Sequence, residues 1–176
     1  GYEVVIRAHG VTKQVLDELK ENNISYHDAT CPYVLKIHKI IKENSKEDNV
    51  VLIAGDENHP EVKGIKSYAK GEAFVINSAE KLAELFSNRS DLAEKDVIFV
   101  SQTTFSIKEW EKSVKKIKIL CTNPKIFDTI CSATEERQNE AAELSKISDA
   151  MVIVGGRHSS NTRYLLGVCE KNCPSY

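Results

Sequence analysis

Short apolar runs rich in Val and Ile recur along the chain at residues 4–6, 50–54, 74–76, 97–100 and 151–154. Between them lie stripes at helical spacing: Val15, Leu16, Leu19; Val34, Ile37, Ile40, Ile41; Leu82, Leu85, Phe86; and Ala141, Leu144, Ile147. The runs are continuous rather than alternating, which suits strands covered on both faces, as in a parallel sheet clad by helices. The pattern predicts an α/β fold. Helix starts are marked as well: Thr12 precedes the first stripe, and Ser106 followed by Glu109 forms a capping-box signature ahead of Trp110, Val114 and Ile117. Trp110 therefore reads as core.

Sliding the chain over itself by one hundred residues aligns Asp28 with Asp128 and Cys31 with Cys131. Each cysteine opens a helical stretch followed by an apolar run ending at Gly55 or Gly155. Four residues later come His59-Pro60-Glu61 and Ser159-Ser160-Asn161. The second half of the pattern repeats too, since the run ending in Ser101-Gln102-Thr103-Thr104 before Cys131 has the form of residues 4–10 before Cys31. The chain thus divides into the second half of one α/β unit (residues 1–31), a complete unit (32–128) and the first half of a third (129–176). Both ends read as cut, with a further cysteine expected upstream and another polar loop downstream.

In open α/β units ligands bind beyond the carboxyl ends of the strands, where every polar motif of this chain falls. His9, His59, Glu61, Thr103 and Ser159-Ser160-Asn161 are expected to share one cavity between units. Neutral donors, imidazoles and helix starts, without clustered Lys or Arg, suit a phosphate or diphosphate. Cys31 and Cys131 stand at equivalent helix starts, positions that favour the metal-binding thiolate. With a third, upstream cysteine they suit an iron–sulfur cluster with one open iron, or zinc with an open position. A noncatalytic zinc or redox module and a phosphosugar-binding domain with structural thiols stay open on these residues alone. Cys121 reads as a small apolar strand residue, and Cys169 and Cys173 as incidental neighbours on one helical face. His27 and His38 read as packing or surface residues.

Composition narrows the classes. With 24 Lys plus Arg against 26 Asp plus Glu, a formal net charge of -2 gives no electrostatic footprint for nucleic acid or an anionic membrane. The apolar runs are too short to span a bilayer, and the Gly1-Tyr2-Glu3 start has no basic leader region. The odd count of five cysteines fits a reducing compartment, so the chain is expected to be cytoplasmic.

Six motifs in order then carry a resemblance: Ala8-His9-Gly10-Val11, Asp28-Ala29-Thr30-Cys31-Pro32, His59-Pro60-Glu61-Val62, Gln102-Thr103-Thr104, Ile130-Cys131-Ser132-Ala133-Thr134 with Arg137-Gln138, and Gly155-Gly156 through Ser159-Ser160-Asn161. Together they resemble the LytB-type 4-hydroxy-3-methylbut-2-enyl diphosphate reductases of the methylerythritol phosphate route to isoprenoids. The resemblance implies a trefoil of three α/β units around a four-iron four-sulfur cluster (4Fe-4S), with Cys31 and Cys131 as two of three cysteine ligands. It implies His9, His59, Ser159, Ser160 and Asn161 on the diphosphate, Glu61 as proton donor, and Thr103 ordering the substrate hydroxyl and its proton relay. A ferredoxin or flavodoxin would supply electrons. The family's first cysteine, a further histidine and a late serine have no counterpart, so the segment by itself is expected to be inactive.

Overall fold

The computed structural model describes residues 3–176. The expected opening at Gly1 and Tyr2 lies outside the described residues. Among the described residues six strands and seven α-helices follow in the order β1 (Val4–Ile6), α1 (Lys13–Glu21), β2 (Tyr26–Asp28), α2 (Pro32–Asn44), β3 (Val50–Ala54), α3 (Pro60–Lys66), β4 (Glu72–Ile76), α4 (Ala79–Asn88), β5 (Asp96–Ser101), α5 (Ile107–Leu120), β6 (Asn123–Ile126), α6 (Ser132–Ile147) and α7 (Ser160–Cys169). All pairings between named strands are parallel. β1 pairs with β2, while a four-stranded sheet runs β4-β3-β5-β6.

Alternation of side chains along β3 and β5 explains the layering. Val50, Leu52, Val97 and Phe99 face one way and pack with Leu82 and Phe86 of α4 and Trp110 and Ile117 of α5. Val51, Ile53, Ile98 and Val100 face the other way, against Ile37 and Ile41 of α2 and Val62 and Ile65 of α3. All five residues of β3 are buried, so their near-continuous apolar sequence is what two covering layers require. The anticipated caps form: Thr12 accepts from the Val15 amide and Ser106 from the Glu109 amide.

The hundred-residue repeat reappears in backbone hydrogen bonds. Leu35 N–H donates to Cys31 O at 3.0 Å, and Glu135 N–H to Cys131 O at 3.0 Å. His59 N–H reaches Asp56 O as Ser159 N–H reaches Gly156 O, both at 2.9 Å. Gly55 sits so close to Val62 that a Cβ would lie 2.8 Å from its Cγ2, and a Cβ on Gly155 would collide with Thr162 in the same way.

Three expectations change. β2 and β6 escape the hydropathy pattern because none of their residues is buried; β6, with Pro124, belongs at an edge where a missing N–H costs no ladder bond. Residues 151–154 form only an isolated bridge, Met151 to Ser175, because residues 174–176 alone pair with them; Val152 and Val154 are 74% and 94% exposed. In α6 the apolar stripe is not the buried one. Thr134, Gln138 and Ser145 are buried while Leu144 and Ile147 are exposed, since α6 packs on α7 and the residue 105–107 turn through polar bonds.

Candidate functional site

Both cysteines are N-cap residues, Cys31 of α2 and Cys131 of α6, and neither uses its side chain to cap the helix. The carboxylates upstream shape the turns: Asp28 Oδ1 accepts from the Thr30 amide at 2.9 Å, and Asp128 Oδ1 from the Ile130 amide at 3.3 Å. Each sulfur is thus left free on an anchored backbone. Cys31 N–H donates to Ala8 O at 3.0 Å and Cys131 N–H to Thr103 O at 2.9 Å. The two helix starts are joined by Tyr33 Oη and Ser132 Oγ, 3.0 Å apart. Both thiols are half-buried. Among the described residues no group of three or more His, Cys, Asp or Glu side chains is placed to hold a metal ion.

His9 lies in the turn after β1, next to Ala8, whose carbonyl accepts from the Cys31 amide. Gly10, at φ +70°, returns its N–H to Arg7 O at 2.9 Å, a conformation that favours glycine. The His9 ring meets His59 edge-on, with centroids 5.1 Å apart. His59 caps α3, its Nδ1 accepting from the Glu61 amide at 3.2 Å. That bond fixes the neutral tautomer and leaves Nε2–H as the free donor. Burial lowers the pKa of both histidines, with the Arg7 charge adding to the effect at His9 and His9 adding to it at His59.

Glu61 lies in the first turn of the same helix and is 1% exposed. Its Oε1 accepts from the Thr103 amide at 2.7 Å and its Oε2 from Thr103 Oγ1 at 2.8 Å. Burial pushes the carboxyl pKa up; the two Thr103 donors pull the other way. Thr103 follows β5, so a carboxylate from the first turn of α3 and a hydroxyl from the loop after β5 meet beyond the carboxyl ends of the adjacent central strands β3 and β5.

Ser159 caps α7, accepting from the Thr162 amide, and Ser160 and Asn161 open the helix. Asn161 Oδ1 is buried without a hydrogen-bond partner. Two residues not singled out as site residues from sequence complete this corner. Gln102, fully buried, takes the Asp56 amide on Oε1 at 3.1 Å and donates from Nε2 to Thr104 Oγ1 at 3.0 Å and Ser160 Oγ at 3.3 Å. Arg163 donates to Asp56 Oδ2 at 2.9 Å and Ser160 Oγ at 3.4 Å, holding the Asp56 carboxyl below the usual carboxylate range. A single arginine, paired with Asp56, therefore borders this corner. The only sequence signal for Arg163 is its place one turn after Ser159.

The predicted residues form a linked series: Cys31 to Ala8 beside His9, His9 to His59, Glu61 to Thr103, and Thr103 to Cys131. Gln102 joins Ser160 to the Thr103 turn. The remaining cysteines stand apart. Cys121 ends α5 and is buried there rather than in a strand, and Cys173 lies beyond the end of α7, so it shares no helical face with Cys169. His27 is exposed on β2, whereas His38 is buried on α2 with Nε2 unpartnered, which lowers its pKa to about 4. A cavity of about 710 Å³ between α4 and α7 is bordered by Asp56 and Arg163 but by none of the predicted site residues. Among the described residues no helix is long and apolar enough to cross a membrane.

Fold and site together define a repeated parallel α/β protein whose thiols, imidazoles and buried acid–hydroxyl pair gather beyond its strand ends. The profile of the LytB protein family matches residues 2–176, and the chain belongs to that family. A 4-hydroxy-3-methylbut-2-enyl diphosphate reductase of Helicobacter pylori (strain Shi470) is 44% identical over 170 residues, 97% of this chain and 60% of that protein. A solved (E)-4-hydroxy-3-methyl-but-2-enyl diphosphate reductase, the terminal enzyme of the non-mevalonate pathway, overlays with a TM-score of 0.67 at 31% identity, over 99% of this chain and 61% of that one. The E-1-hydroxy-2-methyl-but-2-enyl-4-diphosphate reductase of Plasmodium falciparum overlays with a TM-score of 0.84 at 27% identity, over 100% of this chain and 55% of that one. The chain thus spans about 60% of the length of the curated relative it matches.

Proposed function

We propose that the protein containing these residues is a cytoplasmic 4-hydroxy-3-methylbut-2-enyl diphosphate reductase. It removes the allylic hydroxyl to give isopentenyl and dimethylallyl diphosphate. The C–O bond breaks, the oxygen leaves as water, and two electrons and two protons are taken up, the electrons arriving from a ferredoxin or flavodoxin. Residues 32–128 form its complete α/β unit, with 1–31 and 129–176 belonging to the other two units of a trefoil.

A 4Fe-4S cluster, when bound, supplies electrons to the substrate and an open iron for its oxygen. Cys31 and Cys131 would hold two of its irons, with a third cysteine from outside these residues. The fit rests on donor chemistry: both sulfurs are free of capping bonds, and Tyr33 and Ser132 hold the helix starts together. His59 Nε2–H, His9, the Ser159 and Ser160 hydroxyls and Asn161 bind the diphosphate oxygens. Neutral imidazoles are suited to this because they donate without needing a charge in a partly desolvated site.

Glu61 is the proton donor, and the observation that carries the proposal is its double contact with Thr103. With Glu61 protonated on Oε2, that O–H donates to Thr103 Oγ1, and the threonine hydrogen turns outward to the substrate oxygen. The proton then moves along two O–H bonds, and the carboxylate left on Glu61 accepts from the Thr103 amide and hydroxyl. Turnover by full-length Glu61→Gln and Thr103→Val variants tests this; both lose activity while retaining bound iron.

A further inference from the structure

Ser160 Oγ is approached by two donors, Gln102 Nε2 at 3.3 Å and Arg163 Nη2 at 3.4 Å. A hydroxyl has two lone pairs and one hydrogen, so two donors fill its accepting capacity and leave it only the role of donor. No described residue accepts that hydrogen, although Ser160 is 2% exposed. The Gln102 amide cannot turn over to reverse the pattern. Its oxygen is held by the Asp56 N–H at 3.1 Å, and its other N–H is spent on Thr104 Oγ1. Arg163 is fixed in turn by Asp56 Oδ2 at 2.9 Å. Asp56 belongs to the turn that leads into His59, since His59 N–H donates to Asp56 O at 2.9 Å.

We propose that Gln102 and Arg163 are positioning residues that aim the Ser160 hydroxyl at the anionic end of the substrate and clamp the α7 start to the His59 turn before ligand arrives. The inference rests on the diphosphate role assigned above to Ser160. Holding donors from two α/β units in place beforehand removes the ordering cost that binding would otherwise carry. Aiming a buried hydroxyl outward also leaves that hydrogen unsatisfied until an anion enters, so the gain on binding is larger than for a solvated serine.

The test uses full-length, iron-loaded protein and inorganic diphosphate as the probe, with its Kd measured by calorimetry beside KM, kcat and thermal midpoint. Ser160→Ala and Gln102→Met should each weaken diphosphate and raise KM by about tenfold, the size of losing one hydrogen bond to a charged group, with kcat changing less. The double variant should bind no more weakly than the worse single one, because Gln102 acts through Ser160. Arg163→Gln, at an exposed position, should raise KM severalfold at an unchanged thermal midpoint, which keeps the proposal testable should Gln102→Met fold poorly. Additive losses in the double variant, or a lowered midpoint with unchanged KM in Gln102→Met and an unchanged KM in Arg163→Gln, would overturn the positioning role while leaving the diphosphate site intact. Unaltered diphosphate binding in Ser160→Ala would instead overturn the assignment of that loop and the inference with it.

Discussion

Thr103 holds both oxygens of Glu61, with its amide on one and its hydroxyl on the other, at 2.7 and 2.8 Å. One residue thus fixes the carboxyl plane through both of its oxygens. Gln in place of Glu can accept from the amide and donate to the hydroxyl, preserving the geometry but holding no transferable proton. Because burial raises the Glu61 pKa, its ionised form at neutral pH carries a cost to folding that Gln lacks. Glu61→Gln is therefore expected to keep or raise the thermal midpoint at pH 7 while lowering turnover by at least about a hundredfold. Steady-state kinetics and a melting curve on the same preparation check both.

The cysteines make a second prediction. Cys31→Ser or Cys131→Ser in the full-length protein should abolish stable 4Fe-4S incorporation, read as iron per chain and visible absorbance after anaerobic reconstitution. Cys121→Ser, Cys169→Ser and Cys173→Ser should retain it. Cys121 and Cys169 are buried in packing contacts, and burial raises their thiol pKa, away from the thiolate a metal needs.

His38 sets a pH dependence. Its ring lies 4.6 Å from Tyr68, its Nε2 is buried against Gly64, and burial holds its pKa near 4 against 6.5 in the unfolded chain, with Asp28 pulling weakly the other way. Above pH 6.5 neither state is protonated and the stability is fully present. As pH falls from 6.5 towards 4 the unfolded chain takes up a proton that the folded one refuses, so stability drops by up to roughly 3 kcal/mol. His38→Leu should flatten that slope in urea denaturation between pH 7.5 and pH 4.5; an unchanged slope would show that other groups set it.

Close packing at the β3 end gives a fourth expectation. A Cβ on Gly55 would lie 2.8 Å from Val62 Cγ2 and 3.0 Å from Gln102 Oε1, while one on Gly156 meets nothing within 4 Å. Gly55→Ala should cost about 1–3 kcal/mol in chemical denaturation. Gly156→Ala should stay within about 0.5 kcal/mol.

The fold was legible wherever both faces of an element are buried. Residues 50–54 read as a strand because all five are covered, and Trp110 read as core because α5 lies on that sheet. β6 left no mark because Asn123 and Lys125 are exposed and only Pro124 and Ile126 are half-buried, so it has no apolar run. Residues 151–154 carry a strand pattern but meet only residues 174–176, so Val152 and Val154 stay exposed. The repeat picked out Cys31 with Cys131 and His59 with Ser159 as equivalent positions, and each pair makes the same backbone hydrogen bond. The contacts of Gln102 with Ser160 and of Arg163 with Asp56 were not legible, because they join side chains 58 and 107 residues apart along the sequence.

Anaerobic turnover of the full-length, reconstituted protein is the decisive measurement. Given 4-hydroxy-3-methylbut-2-enyl diphosphate and a one-electron reductant, it should release isopentenyl and dimethylallyl diphosphate, with one water formed per substrate consumed. Absence of both products from a preparation with its full complement of iron would contradict the proposed function.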